Sequence, residues 1–254
     1  MGKPKYLYKY EPFSVQSLKN LKTQSIYFGS PLNFNDPYDC ALTVKILEPS
    51  KSDLNILKKR FISETNLNPE AIHLLESLND EVVVAQLMSL AKNVLETVRN
   101  RFLTMRGVTC FSETNSDLLM WSHYGGRYKG FCLEFSTNHE PFEKIYKVTY
   151  ASEMPQVTLA SILLSNDHDF LLNFFITKSK SWEYEKEWRG IHENVGTQFT
   201  YKASALKAIY LGPDMDSESF EIIALILAGQ NSNVNLWKGR RSTEKFEVLF
   251  EKIN

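Results

Sequence analysis

Three glutamates stand at alternate positions in one short, aromatic-rich stretch. Lys178 to Gly190 reads KSKSWEYEKEWRG. Within it Glu183, Glu185 and Glu187 occupy alternate positions, and the positions before, between and after them hold Trp182, Tyr184, Lys186 and Trp188. A strand sends alternate side chains to opposite faces, so the pattern predicts an extended segment with three carboxylates on one face. Rigidly held carboxylates can stabilise positive charge or accept protons. A half-exposed strand with a solvated acidic face is the alternative.

Composition excludes several classes of protein. The chain has 254 residues, 43% of them hydrophobic and 23% charged, which is ordinary for a globular protein, and we expect a single domain spanning 1–254. A net charge of −1 provides no global field for nucleic acid. Three cysteines without CxxC spacing argue against a disulfide framework and a zinc site. With neither a signal sequence nor an apolar run near about 18 residues, we expect a cytoplasmic protein without a membrane partner.

Several common catalytic motifs are missing from the sequence. It contains no GxxxxGK[ST], no GxGxxG opening a helix after a strand, no HExxH and no GxSxG. These absences argue against a P-loop nucleotide triphosphatase, a Rossmann oxidoreductase, a zinc protease of the HExxH type and an α/β-hydrolase.

Other local patterns indicate the elements that must position the acidic stretch. KYLYKY, from Lys5 to Tyr10, alternates and stops before Pro12, which predicts a first strand. GVTCFS, from Gly107 to Ser112, predicts another strand, and NSDLLMWSHY after it predicts a helix ending near Tyr124. The segment from Gly29 to Cys40 is dense in Gly, Pro, Asn and Asp, so we expect a loop there.

The region from Lys51 to Arg106 has a different character. Its apolar residues recur at spacings of three and four, which predicts three helices. We interpret residues 51–106 as a helical insert within the single domain. Because strands and helices do not alternate regularly elsewhere, we expect an α+β fold rather than a βαβ winding.

Four blocks of the sequence resemble one family. These blocks are YLYKY, SIYFGSPLNFNDPYD, CFSETNSDLLMWSHYGGRYKGFCLEF and WEYEKEWR. Together they resemble an uncharacterised, mostly bacterial family, domain of unknown function 2971, over nearly the whole chain. That resemblance implies no activity.

A more distant resemblance links the chain to ADP-ribosyltransferases. GVTCFSETNSDLLMWSHY is similar to their strand that carries a Ser or Tyr motif before a helix, and Glu185-Lys-Glu187 is similar to their catalytic E-x-E. Lys9 stands where that family usually has Arg or His on the first strand. The resemblance implies a mixed or antiparallel ADP-ribosyltransferase-like β core. It further implies an NAD-dependent ADP-ribosyltransferase or NAD glycohydrolase that acts as a bacterial toxin or phage-defence effector.

Residue roles follow from this resemblance and fit the chemistry of the residue types. Cleavage of the nicotinamide–ribose bond of NAD passes through an oxocarbenium-like state, which Glu187 would stabilise, while Glu185 would position or deprotonate the acceptor. The acceptor is a protein, a nucleic acid or water, and this hypothesis needs no metal. Seven further residues are expected to bind the NAD: Lys9, Tyr10, Asn35, Asp36, Ser112, Trp121 and Tyr124.

Two other functions remain open at this stage. Four carboxylates could hold magnesium in a metal-dependent nuclease: Asp36, Asp39, Glu185 and Glu187. The acidic stretch could instead be the docking face of a noncatalytic binding module. The transferase hypothesis makes one architectural demand, which is that the strands near Lys9, Ser112 and Glu187 lie side by side in one sheet.

Overall fold

A computed structural model describes residues 2–40, 43–65, 67–164, 169–230 and 233–253. The chain divides into two compact units. The first, which we call the sheet unit, consists of Met1–Asn33, Met105–Tyr150 and Lys180–Asn254. The second, the helical unit, consists of Phe34–Thr104 and Ala151–Ser179.

The strands are short and are spread along the whole chain. In chain order they are β1 (Tyr6–Glu11), β2 (Ser25–Tyr27), β3 (Lys45–Leu47), β4 (Gly107–Ser112), β5 (Phe131–Ser136), β6 (Ile145–Lys147), β7 (Thr149–Ala151), β8 (Gln156–Thr158), β9 (Thr177–Ser179), β10 (Glu187–His192), β11 (Gln198–Thr200), β12 (Leu206–Leu211), β13 (Asn235–Arg241) and β14 (Val248–Lys252).

The longest helices lie between β3 and β4. In chain order the α-helices are α1 (Val15–Lys22), α2 (Lys51–Glu64), α3 (Pro69–Ser77), α4 (Asp80–Met105), α5 (Leu118–His123), α6 (Leu159–Leu164), α7 (Asp169–Phe175) and α8 (Ser217–Ala228). Short 3-10 turns cover Pro31–Asn33, Phe142–Lys144, Lys180–Glu185 and Ala203–Ala205. No helix among the described residues is long and apolar enough to cross a membrane.

One eight-stranded sheet forms the centre of the sheet unit. Its strand order is β14-β13-β12-β5-β1-β4-β10-β6. The pairs are antiparallel except β12–β13, which is parallel and is connected through α8. The fold therefore combines a large mixed sheet with several helices, as the α+β prediction requires.

The three strands needed for chemistry are neighbours. β1 pairs with β4 through Tyr8 and Ser112, and β4 pairs with β10 through Ser112 and Glu187. This adjacency confirms the predicted side-by-side placement of the strands near Lys9, Ser112 and Glu187.

One face of this sheet is apolar and carries the main core of the unit. Aliphatic and aromatic side chains from five adjacent strands pack there, together with residues of α8. Its fully or nearly fully buried members include Leu7, Phe111, Phe131, Leu133, Phe135, Trp188, Ile209, Leu211, Ile223 and Leu227. Burying a large apolar side chain contributes about 1.5–3 kcal/mol, so this face supplies much of the stability of the unit.

The acidic stretch is not the continuous strand that its alternation predicts. Lys180–Glu185 forms a 3-10 turn, and β10 begins only at Glu187. Between them Lys186 has a φ of 45°, a left-handed conformation that interrupts an extended chain. Glu183 is therefore exposed, whereas Glu185 and Glu187 are buried.

The helical unit contains α2, α3 and α4, together with α6, α7 and the parallel pair of β3 and β8. These first three helices cover most of the predicted insert at 51–106, and the unit also takes in residues 34–50 and 151–179. Phe102 and Phe175 stack with ring centroids 3.6 Å apart. Asp39 and Lys178 form a buried ion pair with an oxygen–nitrogen distance of 3.1 Å.

A candidate active site on the polar face of the sheet

The second face of the sheet carries a row of polar side chains. The strand register aligns Glu134 of β5 with Tyr8 of β1, Tyr8 with Ser112 of β4, and Ser112 with Glu187 of β10. Directly opposed residues share a face, and neighbouring strands lie about 4.8 Å apart. These four residues, which we call the polar row, therefore cross four strands within roughly 14 Å.

Glu187 is fixed at one end of the polar row by a buried ion pair. Arg189 follows two residues later on the same face of β10, and its Nε and Nη2 each donate to one carboxylate oxygen of Glu187 at 2.9 Å. Both residues are almost completely buried, with exposed fractions of 3% for Glu187 and 0% for Arg189. A bidentate contact of this kind sets both the charge and the orientation of the carboxylate.

Backbone contacts also fix the start of β10. The backbone N–H of Glu187 donates to the Tyr150 hydroxyl at 2.8 Å, and its carbonyl accepts from the N–H of Val148 at 3.0 Å. Glu187 is therefore held through its backbone as well as its carboxylate.

Glu185 is held against the polar row by two hydroxyl groups. Ser112 Oγ donates to the Glu185 carbonyl oxygen at 2.7 Å, and the Tyr124 hydroxyl donates to Glu185 Oε1 at 2.5 Å. The Glu185 side chain belongs to the buried polar residues of the unit. Glu185 thus contacts both Ser112 and Tyr124, which the sequence had singled out, through its backbone carbonyl and its carboxylate respectively.

Aromatic side chains of the 3-10 turn pack on α5 rather than beneath the sheet. The ring centroids of Trp182 and Tyr184 each lie 6.1 Å from that of His123. The Tyr184 hydroxyl is 2.9 Å from His123 Nδ1. These contacts explain why the segment leaves the strand path before β10.

Lys9 does not join the group around Glu187. Tyr8 is the β1 residue that shares a face with Ser112, so the Lys9 side chain points to the opposite face. There its ammonium lies 3.7 Å from the Glu11 carboxylate and 5.5 Å from the centroid of the Phe111 ring. A ligand bound on the polar face at Glu187 is therefore separated from Lys9 by the sheet itself.

Tyr10 and Trp121 lie in the packed core of the polar face. Trp121 is fully buried, and its indole Nε1 donates to the Asn115 carbonyl at 2.6 Å. The Tyr10 ring packs edge-on against it with centroids 5.2 Å apart, and the Tyr10 hydroxyl donates to the Thr114 carbonyl at 3.0 Å. The structure gives both residues packing partners within the protein, whereas Tyr124 contacts Glu185 directly.

Asn35 and Asp36 belong to the helical unit. Asp36 is buried, and its Oδ1 accepts from the backbone N–H of Tyr38 at 2.9 Å, a contact that shapes the loop as expected. Asn35 is exposed. Both stay predicted NAD-binding residues.

Three residues of the site escaped the analysis of the sequence. Arg189 lies two residues after Glu187 and therefore on the same face of a strand. The alternation that identified the glutamates thus also points to Arg189. Tyr8 was passed over in favour of the basic Lys9 beside it. No local pattern identifies Tyr150, because its contact with Glu187 depends on the tertiary fold.

The arrangement of possible metal ligands bears on the hypothesis of a metal-dependent nuclease. Within the part of the chain that the structure describes, no group of three or more His, Cys, Asp or Glu side chains is arranged to hold a metal ion. Asp39 is paired with Lys178 in the helical unit, and Glu187 is paired with Arg189 in the sheet unit.

Comparison with known families gives one match. The model of a family described as a protein of unknown function (DUF2971) matches residues 120–190. This match confirms the predicted relationship to domain of unknown function 2971, over a segment that runs from α5 through β5 to β10 rather than over nearly the whole chain. No curated protein and no solved structure matches the chain.

Proposed function

We propose that the sheet unit binds NAD on its polar face and breaks the nicotinamide–ribose bond, passing the ADP-ribosyl group to an acceptor or to water. The observation that carries this proposal is the alignment of Tyr8, Ser112 and Glu187 on one face of three adjacent strands. A hydroxyl beside a fixed carboxylate suits a ribose, since the ribose offers hydroxyl groups to both and develops positive charge during cleavage.

Glu187 has the central chemical role in this proposal. As the bond between ribose C1′ and the nicotinamide nitrogen breaks, its electron pair leaves with neutral nicotinamide and C1′ becomes an oxocarbenium-like cation. The Glu187 carboxylate stabilises that cation and accepts a hydrogen bond from the ribose 2′-hydroxyl. Arg189 offsets part of the negative charge, so we expect an effect near the lower end of the usual range, about 10² in rate.

Glu185 has the second role, on the acceptor side. An acceptor oxygen or nitrogen forms a new bond to C1′ and loses a proton, for which the Glu185 carboxylate is the base. Tyr124 donates to that carboxylate and fixes one of its oxygens. Ser112 links the two acids, because it is paired with Glu187 across the strands and its hydroxyl donates to the Glu185 carbonyl.

Access to the site depends on the 3-10 turn at Lys180–Glu185. Glu185, Glu187 and Arg189 are all at most 3% exposed, so a substrate reaches them only after neighbouring residues move, and we infer that the turn is the part that moves. Two hydroxyl contacts, from Ser112 and Tyr124, hold the turn at Glu185. Substrate binding would therefore have to break or replace these contacts.

The proposal includes an ADP-ribosyltransferase-like core for the sheet unit and a cytoplasmic role as a bacterial toxin or phage-defence effector. Consumption of NAD is damaging to a cell, which suits such a role. The same closed geometry favours a second candidate, a noncatalytic binding module, because a buried and fully paired Glu187–Arg189 contact also serves purely to fix β10.

Two measurements on the wild-type protein separate these candidates. The first is release of nicotinamide from NAD, with and without a cell extract that supplies acceptors, and the second is calorimetric titration with NAD and separately with magnesium. Release of nicotinamide supports the transferase or glycohydrolase. Saturable NAD binding without release under either condition supports the binding module. Absence of both contradicts an NAD-linked function, and magnesium binding alone would revive the nuclease hypothesis.

A further inference from the structure

Glu134, at the far end of the polar row from Glu187, has no role in the proposed reaction. It lies on β5 beside Tyr8 of β1, with Ala208 of β12 on its other side. The side chain is partly buried. Its position is about three strand spacings, or roughly 14 Å, from Glu187, so it belongs to a separate part of this face.

Phenol groups supply the hydrogen-bond donors around Glu134. The Tyr210 hydroxyl donates to Glu134 Oε2 at 2.7 Å. The pKa of the Tyr8 hydroxyl is raised mainly by burial and, to a smaller extent, by the neighbouring Glu134. The pKa of the Tyr210 hydroxyl is raised mainly by burial and then by its hydrogen bond to Glu134. Both phenols therefore stay neutral beside the Glu134 carboxylate, and Tyr210 is its hydrogen-bond donor.

The charge of Glu134 has no cationic partner in the part of the chain that the structure describes. None of the ion pairs there involves it, although other acidic residues of the sheet unit pair with Lys147, Arg189, Arg240 and Arg241. Desolvation disfavours an isolated charge, so a partly buried carboxylate gains from a cationic partner. Glu134 therefore has negative charge that a ligand could neutralise.

The surroundings of Glu134 accept hydrogen bonds and present aromatic surface. The Tyr210 hydroxyl directs its hydrogen at the carboxylate, so its oxygen offers only lone pairs to other groups. The rings of Tyr8 and Tyr210 pack edge to face at 68° with centroids 6.0 Å apart, and Tyr8 is the more exposed of the two. Trp237 and Phe250 also pack against Tyr210, with centroids 6.0 Å and 4.8 Å away, so the ring of Tyr8 is the aromatic surface beside Glu134.

We propose that Glu134, Tyr8 and Tyr210 form a binding site for a guanidinium group. A guanidinium is planar and has only hydrogen-bond donors. Its positive charge would complement the negative charge of Glu134. It can bind the carboxylate in bidentate fashion while its face contacts a tyrosine ring. The group could belong to a small molecule or to an arginine side chain of a protein. This site goes beyond the proposed NAD chemistry and does not depend on it.

The test titrates the full-length protein with three probes by calorimetry. Agmatine represents a free small molecule, a capped Gly-Arg-Gly peptide represents an arginine side chain, and the same peptide with citrulline is a neutral match of nearly the same shape. We expect saturable binding of agmatine or the arginine peptide, at least 10-fold tighter than the citrulline peptide. Preference for one of the two cationic probes identifies the source.

Variants locate the binding. Glu134→Gln keeps the shape but removes the charge, and it should weaken binding of the cationic probe at least 10-fold. Tyr8→Phe keeps the ring but removes an acceptor oxygen, and it should weaken binding a few-fold, which provides a second readout should Glu134→Gln fold poorly. Glu251→Gln, at the exposed partner of Arg240, is the matched control and should bind normally. No saturable binding by the wild type, equal binding of citrulline, or full binding by both Glu134→Gln and Tyr8→Phe would overturn the proposal.

Discussion

The two faces of the central sheet are built from the same strands, but different kinds of side chain are buried on them. On the apolar face, Phe111, Phe135 and Trp188 lie in a continuous core with aliphatic neighbours. On the polar face, the residues next to them in sequence include Ser112, Glu134 and Glu187, each held by specific hydrogen bonds. A single alternation along each strand thus produces an apolar core on one side and, on the other, a directed polar network beside a smaller buried cluster that includes Tyr10 and Trp121.

This difference has an energetic consequence. Apolar contacts stabilise in proportion to the area they bury, and they tolerate substitutions that keep volume. Buried ions stabilise only as complete pairs, since loss of one partner leaves a desolvated charge. The buried ions of the polar face therefore contribute little to stability, and we infer that they are retained because they orient groups for binding or chemistry.

The largest stability effect should come from truncation on the apolar face. Phe135 is fully buried and contacts the rings of Phe111, Phe142 and Tyr201. Phe135→Ala should lower the free energy of unfolding by about 4 kcal/mol through lost burial and a cavity. Urea denaturation measures this, with Leu225→Ala on the exposed face of α8 as a control within about 0.5 kcal/mol of the wild type. A loss below about 1 kcal/mol for Phe135→Ala would contradict the assigned core.

Breaking the buried ion pair should have the next largest effect. Arg189→Met keeps much of the side-chain volume but removes the bidentate cationic partner of the buried Glu187 carboxylate, so we expect a loss of about 3 kcal/mol in the free energy of unfolding. In the double variant Glu187→Leu with Arg189→Met both charges are gone, and much of that stability should return. Urea denaturation of both variants tests the difference between the faces. A double variant that is no more stable than Arg189→Met would show that the pair does not behave as a coupled, desolvated unit.

A smaller effect should follow from loosening the 3-10 turn. Tyr124→Phe removes the donor to Glu185 Oε1, a charge-assisted hydrogen bond worth about 2 kcal/mol. Amide hydrogen exchange within Lys180–Glu185 should accelerate more than exchange in β10. Tyr184→Phe, which removes the hydroxyl contact with His123 in the same turn, is the matched control and should change stability and hydrogen exchange little. Equal exchange in the two variants would mean that Tyr124 does not hold the turn.

The apolar face and the strand positions were largely predictable from the sequence. Local patterns predicted β1, β4 and the helix α5 that follows β4 and ends at His123, next to the predicted end at Tyr124. These features depend on residues close together in the chain. The transferase hypothesis also predicted that β1, β4 and β10 are neighbours.

The details of the polar face were not predictable in the same way. Alternation at residues 182–188 suited a strand, but packing of Trp182 and Tyr184 against His123 and the left-handed Lys186 convert half of it into a turn. β13 was also missed, since NLWKGRR lacks a clean alternation and is placed in the sheet by parallel pairing with β12. Tertiary contacts decide both cases, and a single sequence does not encode them locally.

The rate of nicotinamide release by Glu187→Gln tests the central claim most directly. Glu183→Gln is the matched control, because Glu183 is an exposed glutamate of the same stretch and lies outside the polar row. Both variants are compared with the wild type at saturating NAD, with affinities measured by calorimetry. We expect Glu187→Gln to lower the rate by about 10² with little change in NAD affinity, and Glu183→Gln to match the wild type. Wild-type release that Glu187→Gln retains in full would contradict the assignment of Glu187 to the chemical step.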